Sequence, residues 1–340
     1  MNDVNAKPKD LIAEQLDLDL SYSFSLKDFL SKTLSSHAWE EFEAKLSVGT
    51  EKTTPALHAA MTAFPKPWIF VKVLTGSLLT YLLLLALLSH YQLSAINLIP
   101  ALIFTGCFAV PIAVLTLFFE MNTTENVSVV FVSKLVLIGG ALSFLFTFAL
   151  FDYFPILEKL YGTASAGFIE EIAKFVAVLI LGRQFIKSRH PYILNGILYG
   201  AAVGTGFAGF ESAGYALRAG LEGNSFKALN DLIILRGMMS PFMHITWTAI
   251  AAGAFWIAYA KTQDFSKSIF SGRFLSLFAI SVGIHFLWNY PLIETFNLLD
   301  TFEYVKLFVL GILSWMIVLR LTHTGLQEIR IKLKNNPNLS

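Results

Sequence analysis

The run Ala164-Ser165-Ala166-Gly167-Phe168-Ile169-Glu170-Glu171-Ile172-Ala173-Lys174-Phe175 sets two adjacent carboxylates and a lysine inside a stretch that otherwise reads as a membrane-spanning helix. A carboxylate at bilayer depth costs at least about 2.5 kcal/mol, so residues of this kind are functional candidates by default. Outward from this run, Glu211, His244 and His285 recur inside later apolar stretches. The pattern predicts an all-α, polytopic membrane protein with polar chemistry in its interior.

Composition agrees. Of 340 residues, 55% are hydrophobic and only 14% are charged, well below the usual quarter for a soluble protein. Mean hydropathy is +0.61. The apolar residues cluster in runs of about 20, enough to cross a lipid bilayer. A net charge of +1 leaves no footprint for nucleic acid, which is not expected as a partner. The single cysteine, Cys107, precludes an intramolecular disulfide. The first 60 residues lack the apolar core of a cleavable signal peptide.

The chain divides into a polar N-terminal segment, 1–66, a membrane domain, 67–322, and a basic tail, 323–340. The N-terminal segment contains two apolar stripes, Phe24, Leu26, Phe29, Leu30 and Leu34, then Trp39, Phe42 and Leu46, which suit short amphipathic helices. About eight spans are expected, at 68–90, 95–118, 128–151, 161–182, 192–217, 238–260, 273–294 and 303–321. Lys and Arg in short loops favour the cytosol. Arg183, Lys187 and Arg189, then Lys261, Lys267 and Arg273, then the tail, place both termini there. The connection at 295–302, with Asp300, is expected outside. The loop 119–127 dissents weakly, with Glu120 and Glu125 and no cation. Its sequons at Asn122 and Asn126 are not expected to be glycosylated. In span five, Gly196, Gly200, Gly204 and Ala208 share one face, which lets a neighbouring helix approach closely.

At 1.5 Å per residue, Glu171 lies roughly 15 Å, Glu211 about 8 Å, His244 about 9 Å, His285 about 14 Å and Asn289 about 8 Å from the outer ends of their spans. This shared depth predicts one site facing the extracytoplasmic side. Glu170 and Lys174 are i,i+4 with the acid first, which favours their pairing. Glu171 then points about 100° away, free for chemistry. A buried carboxylate takes a proton from water, imidazoles bind a metal or orient that water, and an amide donates to an oxyanion. Each signal also has a structural reading: a buried ion pair, packed histidines, a helix-end asparagine before Tyr290-Pro291. Arg236 and Asp231, in an expected loop at 218–237, read as solvated.

These motifs resemble those of the PrsW family of intramembrane proteases, within the superfamily of CAAX prenyl endopeptidases and bacteriocin-processing enzymes. Glu170-Glu171-Ile172-Ala173-Lys174 matches its Glu-Glu-x-x-Lys, Phe207 to Glu211 its Phe-x-x-x-Glu, and His244 and His285 its later histidines, with Asn289 four residues after the second. The similarity covers about residues 160–295. It implies an endopeptidase in a bacterial cytoplasmic membrane that cuts a single-pass membrane protein near the extracytoplasmic face, an anti-sigma factor in the family's best-known role. In this reading Glu171 activates water, and Glu170 supports it through Lys174, or the two are reversed. Glu211, His244 and His285 bind one divalent metal, zinc, or position water without one, and Asn289 stabilises the oxyanion. The loop at 218–237 would gate the site. The lipid bilayer is a partner in any reading, and nothing in the sequence fixes the oligomeric state. A non-catalytic scaffold, as in a related branch, and a transporter are the competing classes.

Overall fold

The computed structural model describes residues 24–60, 62–91, 97–223, 225–291 and 299–335, without side-chain detail at 299–303. The connection expected at 295–302 lies outside them. The described residues are helical with no strand. The principal helices are α1 (Ile69–Tyr91), α2 (Ile99–Met121), α3 (Val129–Tyr153), α4 (Ala166–Gly182), α5 (Ile193–Glu222), α6 (Phe226–Met239), α7 (His244–Thr262), α8 (Gly272–Asn289) and α9 (Leu299–Asn335).

Each expected span has a helix, but six candidates are long and apolar enough to cross a membrane: α1, α2, α3, α5, the α6–α7 stretch and α9. The expected eight counts α4 and α8 as well. These have 17 and 18 residues. They are also the helices that carry Glu170, Glu171 and Lys174, and His285 and Asn289, which lower their hydropathy. The segment 218–237 is not a loop. α5 continues to Glu222, and α6 packs Leu229, Ile233 and Gly237 into the bundle.

α5 is the axis. Every residue from Ile193 to Gly209 is buried, as expected for a helix apolar on all sides. Its glycines permit this. A Cβ on Gly200 would sit 2.1 Å from the Thr248 carbonyl of α7, and one on Gly206 would sit 2.0 Å from the Val136 carbonyl of α3. Gly196 and Gly204 also face α7, against Trp256 and the His244 carbonyl. The glycine stripe is therefore a seam of backbone contact, as its spacing predicts.

One end of the bundle is closed by a polar clasp. Asn126 Nδ2 donates to the Arg189 carbonyl at 2.8 Å, and Asn195 Nδ2 donates to Asn122 Oδ1 at 3.0 Å and Asn126 Oδ1 at 2.6 Å. His190 Nε2 donates to the Asn126 carbonyl at 3.0 Å, and its Nδ1 meets the Tyr199 hydroxyl. Asn122 and Asn126 are 2% and 7% exposed, so both sequon side chains are occupied in packing. The acids that dissented from the loop-charge pattern are also partnered. Glu120 accepts the Trp68, Ile69 and Phe70 amides at 2.7, 3.0 and 3.0 Å, capping α1, and Glu125 pairs with Lys45. A carboxylate at a helix N-terminus is stabilising. Glu328 of α9 does the same for α5, accepting the Ile193 amide at 2.9 Å.

Two predictions follow from this architecture. Gly200→Val drives a branched side chain into the α7 backbone, and its thermal unfolding midpoint in detergent should fall sharply, with Gly76→Val, which meets open space, as the comparison. Burial, aided by Arg189 and opposed by the Asn126 carbonyl, holds the His190 imidazole down at about 4. The unfolded histidine protonates near 6.5, so the unfolded chain binds the extra proton and stability drops as pH falls from about 6.5 to about 4. The midpoint lost between pH 7 and 5 should be larger in wild type than in His190→Gln; equal losses would refute the assignment.

Candidate active site

The site forms at the end of the bundle opposite the clasp, where α4 and α7 begin and α5 and α8 approach their C-termini. Phe168, Ile172, Val176 and Ile180 recur every fourth residue on α4 and are exposed, which marks its lipid face. Glu170, Glu171 and Lys174 consequently point inward and are 6%, 0% and 0% exposed. A 3-10 turn through Pro241 ends at Phe242, so His244 opens α7. Ser281 Oγ of α8 donates to the Trp247 carbonyl of α7 at 2.7 Å. One turn further, the His285 ring stacks on Trp247, centroids 4.2 Å apart. Gly167 lets α4 approach α8, since a Cβ there would meet the Phe286 amide nitrogen at 2.5 Å.

The charges form two arms around Glu170. In the first, Lys174 Nζ donates to Glu171 Oε1 at 2.5 Å, and the same oxygen accepts from His285 Nδ1 at 2.8 Å. That leaves His285 Nε2 facing Glu170 Oε2 at 3.8 Å. In the second, Arg236 Nη2 pairs with Glu211 Oε2, which lies 2.9 Å from His244 Nε2 without hydrogen-bond alignment. His244 Nδ1 faces Glu170 Oε2, also at 3.8 Å, and lies 3.0 Å from Lys174 Nζ. Each imidazole thus has a cation-supported carboxylate on its far nitrogen and Glu170 on its near one. The Lys174 ammonium also lies over the Phe207 ring, 4.6 Å from its centroid.

Several expectations change here. Lys174 bonds Glu171, at i+3, while Glu170 stands 3.9 Å away. The cause is the pocket formed by Phe207, Trp247 and His244, which holds the ammonium on the Glu171 side. Lys174 thus keeps the expected ion pair with Glu170 at 3.9 Å but hydrogen-bonds Glu171, which leaves Glu170 Oε2 without a hydrogen bond. Among the described residues, the buried group able to hold a metal is Glu170, His244 and His285, with one ligand atom from each within 4.8 Å of the others. Glu211 is not in that group, because Arg236 and the far side of His244 engage it. Asn289 lies one turn beyond His285; its carbonyl accepts from Thr163 Oγ1 at 3.1 Å, and its side chain makes no bond to the cluster among the described residues. Arg236 is not solvated, while Asp231 is exposed and pairs with Lys227. The sequence signal for Arg236 was a lone cation in Ile233-Ile234-Leu235-Arg236-Gly237-Met238-Met239.

The residues fit a divalent cation. Glu170 Oε2, the carboxylate oxygen that faces both imidazoles, is buried with no hydrogen-bond partner. The 3.8 Å separations are near the roughly 3.4 Å edge of a tetrahedron with bonds of about 2.1 Å. A carboxylate behind each ligating imidazole is the usual support for such a centre. Binding through His244 Nδ1 requires Lys174 to give up that contact.

Two carboxylate-backed imidazoles facing one buried acid among long apolar helices are the kind of arrangement that activates water. The sequence model of the PrsW family intramembrane metalloproteases matches residues 94–319, and the chain belongs to that family. It is an intramembrane protease and a multi-pass membrane protein. Comparison with curated proteins and with solved structures finds no match.

The arms predict unequal costs for removing the two neighbouring acids. Glu171→Ala strands the buried Lys174 ammonium and should destabilise by about 3 kcal/mol or more. Glu170→Ala removes an acid whose Oε2 has no hydrogen bond and should be much milder. Denaturant unfolding of both variants in the same detergent reads the difference, and equal costs would contradict the pairing.

Proposed function

We propose that this chain is an endopeptidase that cuts a single-pass membrane protein near the extracytoplasmic face of a bacterial cytoplasmic membrane, with Glu170 as the water-activating group. The observation that carries this reading is that Glu170 Oε2 has no hydrogen-bond partner yet faces both imidazoles at 3.8 Å. A triangle of this size admits one water or one cation. Glu170 takes the proton of that water, and His244 and His285 fix its position. Glu171 keeps the proton of His285 on Nδ1, so Nε2 stays open toward the reacting centre. Lys174 balances Glu171, and Glu211 backs His244. Were a divalent cation such as zinc bound, Glu170, His244 and His285 would hold it, with Glu170 then a ligand rather than the base, and it would supply Lewis acidity to the water and to the scissile carbonyl. Asn289 remains in the reading as amide donor to the oxyanion, supported by its place one turn beyond His285.

The orientation rests on charge. Arg183, Lys187 and Arg189, Lys261 and Lys267, and the C-terminal half of α9 all lie at the clasp end, where residues 24–60 and 62–66 also dock. Both termini are then cytosolic, and the site is close to the outer surface. An anti-sigma factor is the substrate class that the family resemblance suggests.

The test compares membrane-protein fragments from cells with wild type, Glu170→Gln and Glu171→Gln at matched expression, with new ends mapped by mass spectrometry. Fragments ending near an outer membrane boundary should disappear with Glu170→Gln and diminish with Glu171→Gln. Identical fragment sets from inserted, folded proteins would favour the scaffold reading instead.

A further inference from the structure

Arg236 is an intramembrane cation that none of the proposed steps uses. Its Nε donates to Ser212 Oγ at 2.8 Å, its Nη2 pairs with Glu211 Oε2, and its guanidinium lies 4.7 Å from the centroid of the Tyr215 ring. Two directed bonds and a stacked ring fix both the plane and the position of the guanidinium. All three partners lie on α5, within four residues of one another, whereas Arg236 comes from α6.

α6 does not need Arg236 in order to dock. The Tyr81 hydroxyl of α1 donates to Asn230 Oδ1 at 2.6 Å, and Leu229 and Ile233 are buried against the bundle. Of the groups Arg236 holds, only the Glu211 carboxylate reaches the cluster. That carboxylate shares its Oε2 between Arg236 and His244 Nε2. The arrangement repeats the other arm, in which Lys174 and His285 share Glu171 Oε1. In that arm the cation comes from the same helix as the acid, one turn on. Here it comes from a separate helix.

We propose that Arg236 is a positioning residue: it holds Glu211 behind His244, so that the opposite ring nitrogen faces Glu170. This rests on the reading of Glu170, His244 and His285 as the reacting centre. Without Arg236, Glu211 loses the cation that pairs with it, and the carboxylate, whose side chain is 13% exposed, is expected to turn toward water at the rim. Lysine at this position keeps the charge but donates from one point, so it cannot hold Glu211 and Ser212 in the same plane.

The experiment uses purified full-length protein in detergent and Zn2+ as the probe, titrated against a chromophoric chelator. Wild type, R236Q, R236K, E211Q, E211Q/R236Q and N230A are compared. Loss of a group that orients a metal-ligating histidine lowers affinity by about ten- to hundredfold. R236Q should show a loss of that size, R236K an intermediate one, and the double variant no more than E211Q alone. N230A, which disturbs α6 without touching Glu211, should bind as wild type does. The proposal is overturned if R236Q keeps wild-type affinity, if N230A loses as much as R236Q, or if R236Q and E211Q act additively. If wild type takes up no zinc, the metal reading falls by itself. Arg236 is then judged by nitrogen NMR of the histidine rings. His244 resonances that move in R236Q but not in N230A sustain the proposal, and unmoved resonances overturn it.

Discussion

The structure depends on the burial of charge among helices where water cannot compensate it. Glu170, Glu171, Glu211, Lys174 and Arg236 come from three helices and meet within one polar centre. An unpaired charge in such a place is strongly destabilising, so the arrangement holds only if cations and acids alternate. They do so along Lys174–Glu171–His285 and along Arg236–Glu211–His244, and Glu170 is left at the junction. Two cations serve three carboxylates: Glu171 and Glu211 take the close contacts, and Glu170, 3.9 Å from Lys174, faces the imidazoles.

Close helix approach makes the alternation reachable. α5 crosses the bundle with glycine at its tightest contacts, which brings the start of α7 against Gly204 in the middle of α5, within reach of Glu211. Gly167 does the same between α4 and α8. At the other end the polar clasp and the carboxylate caps of α1 and α5 fix the helix ends against one another. Site geometry and bundle packing are thus one constraint, since a shift along α5 by a single residue would separate Glu211 from His244.

Much of this was legible in the chain. That Glu170, Glu171, Lys174, Glu211, His244 and His285 meet at one end of the bundle, and that the glycines form a seam, follows from period and depth, while Asn289 stands apart. The pairing of the acids was not legible. Residues three and four apart are both neighbours on a helix, so Lys174 had two equally spaced choices. The aromatic pocket that decides between them comes from α5 and α7. Arg236 was hidden because Lys227, Asn230, Asp231 and Arg236 interrupt the apolar residues of 226–239, and the stretch read as a loop. The span count was blurred by the same polar groups that build the site. The sequons Asn122 and Asn126 and the acids Glu120 and Glu125 read as surface features, and their partners lie on distant segments.

The most direct test of the account is X-ray absorption at the zinc edge on zinc-loaded wild type and His285→Gln. The account predicts a first shell of two imidazole nitrogens and one carboxylate oxygen at about 2.0–2.1 Å, with one imidazole lost in the variant. A shell without imidazole, or one that His285→Gln leaves unchanged, would contradict it.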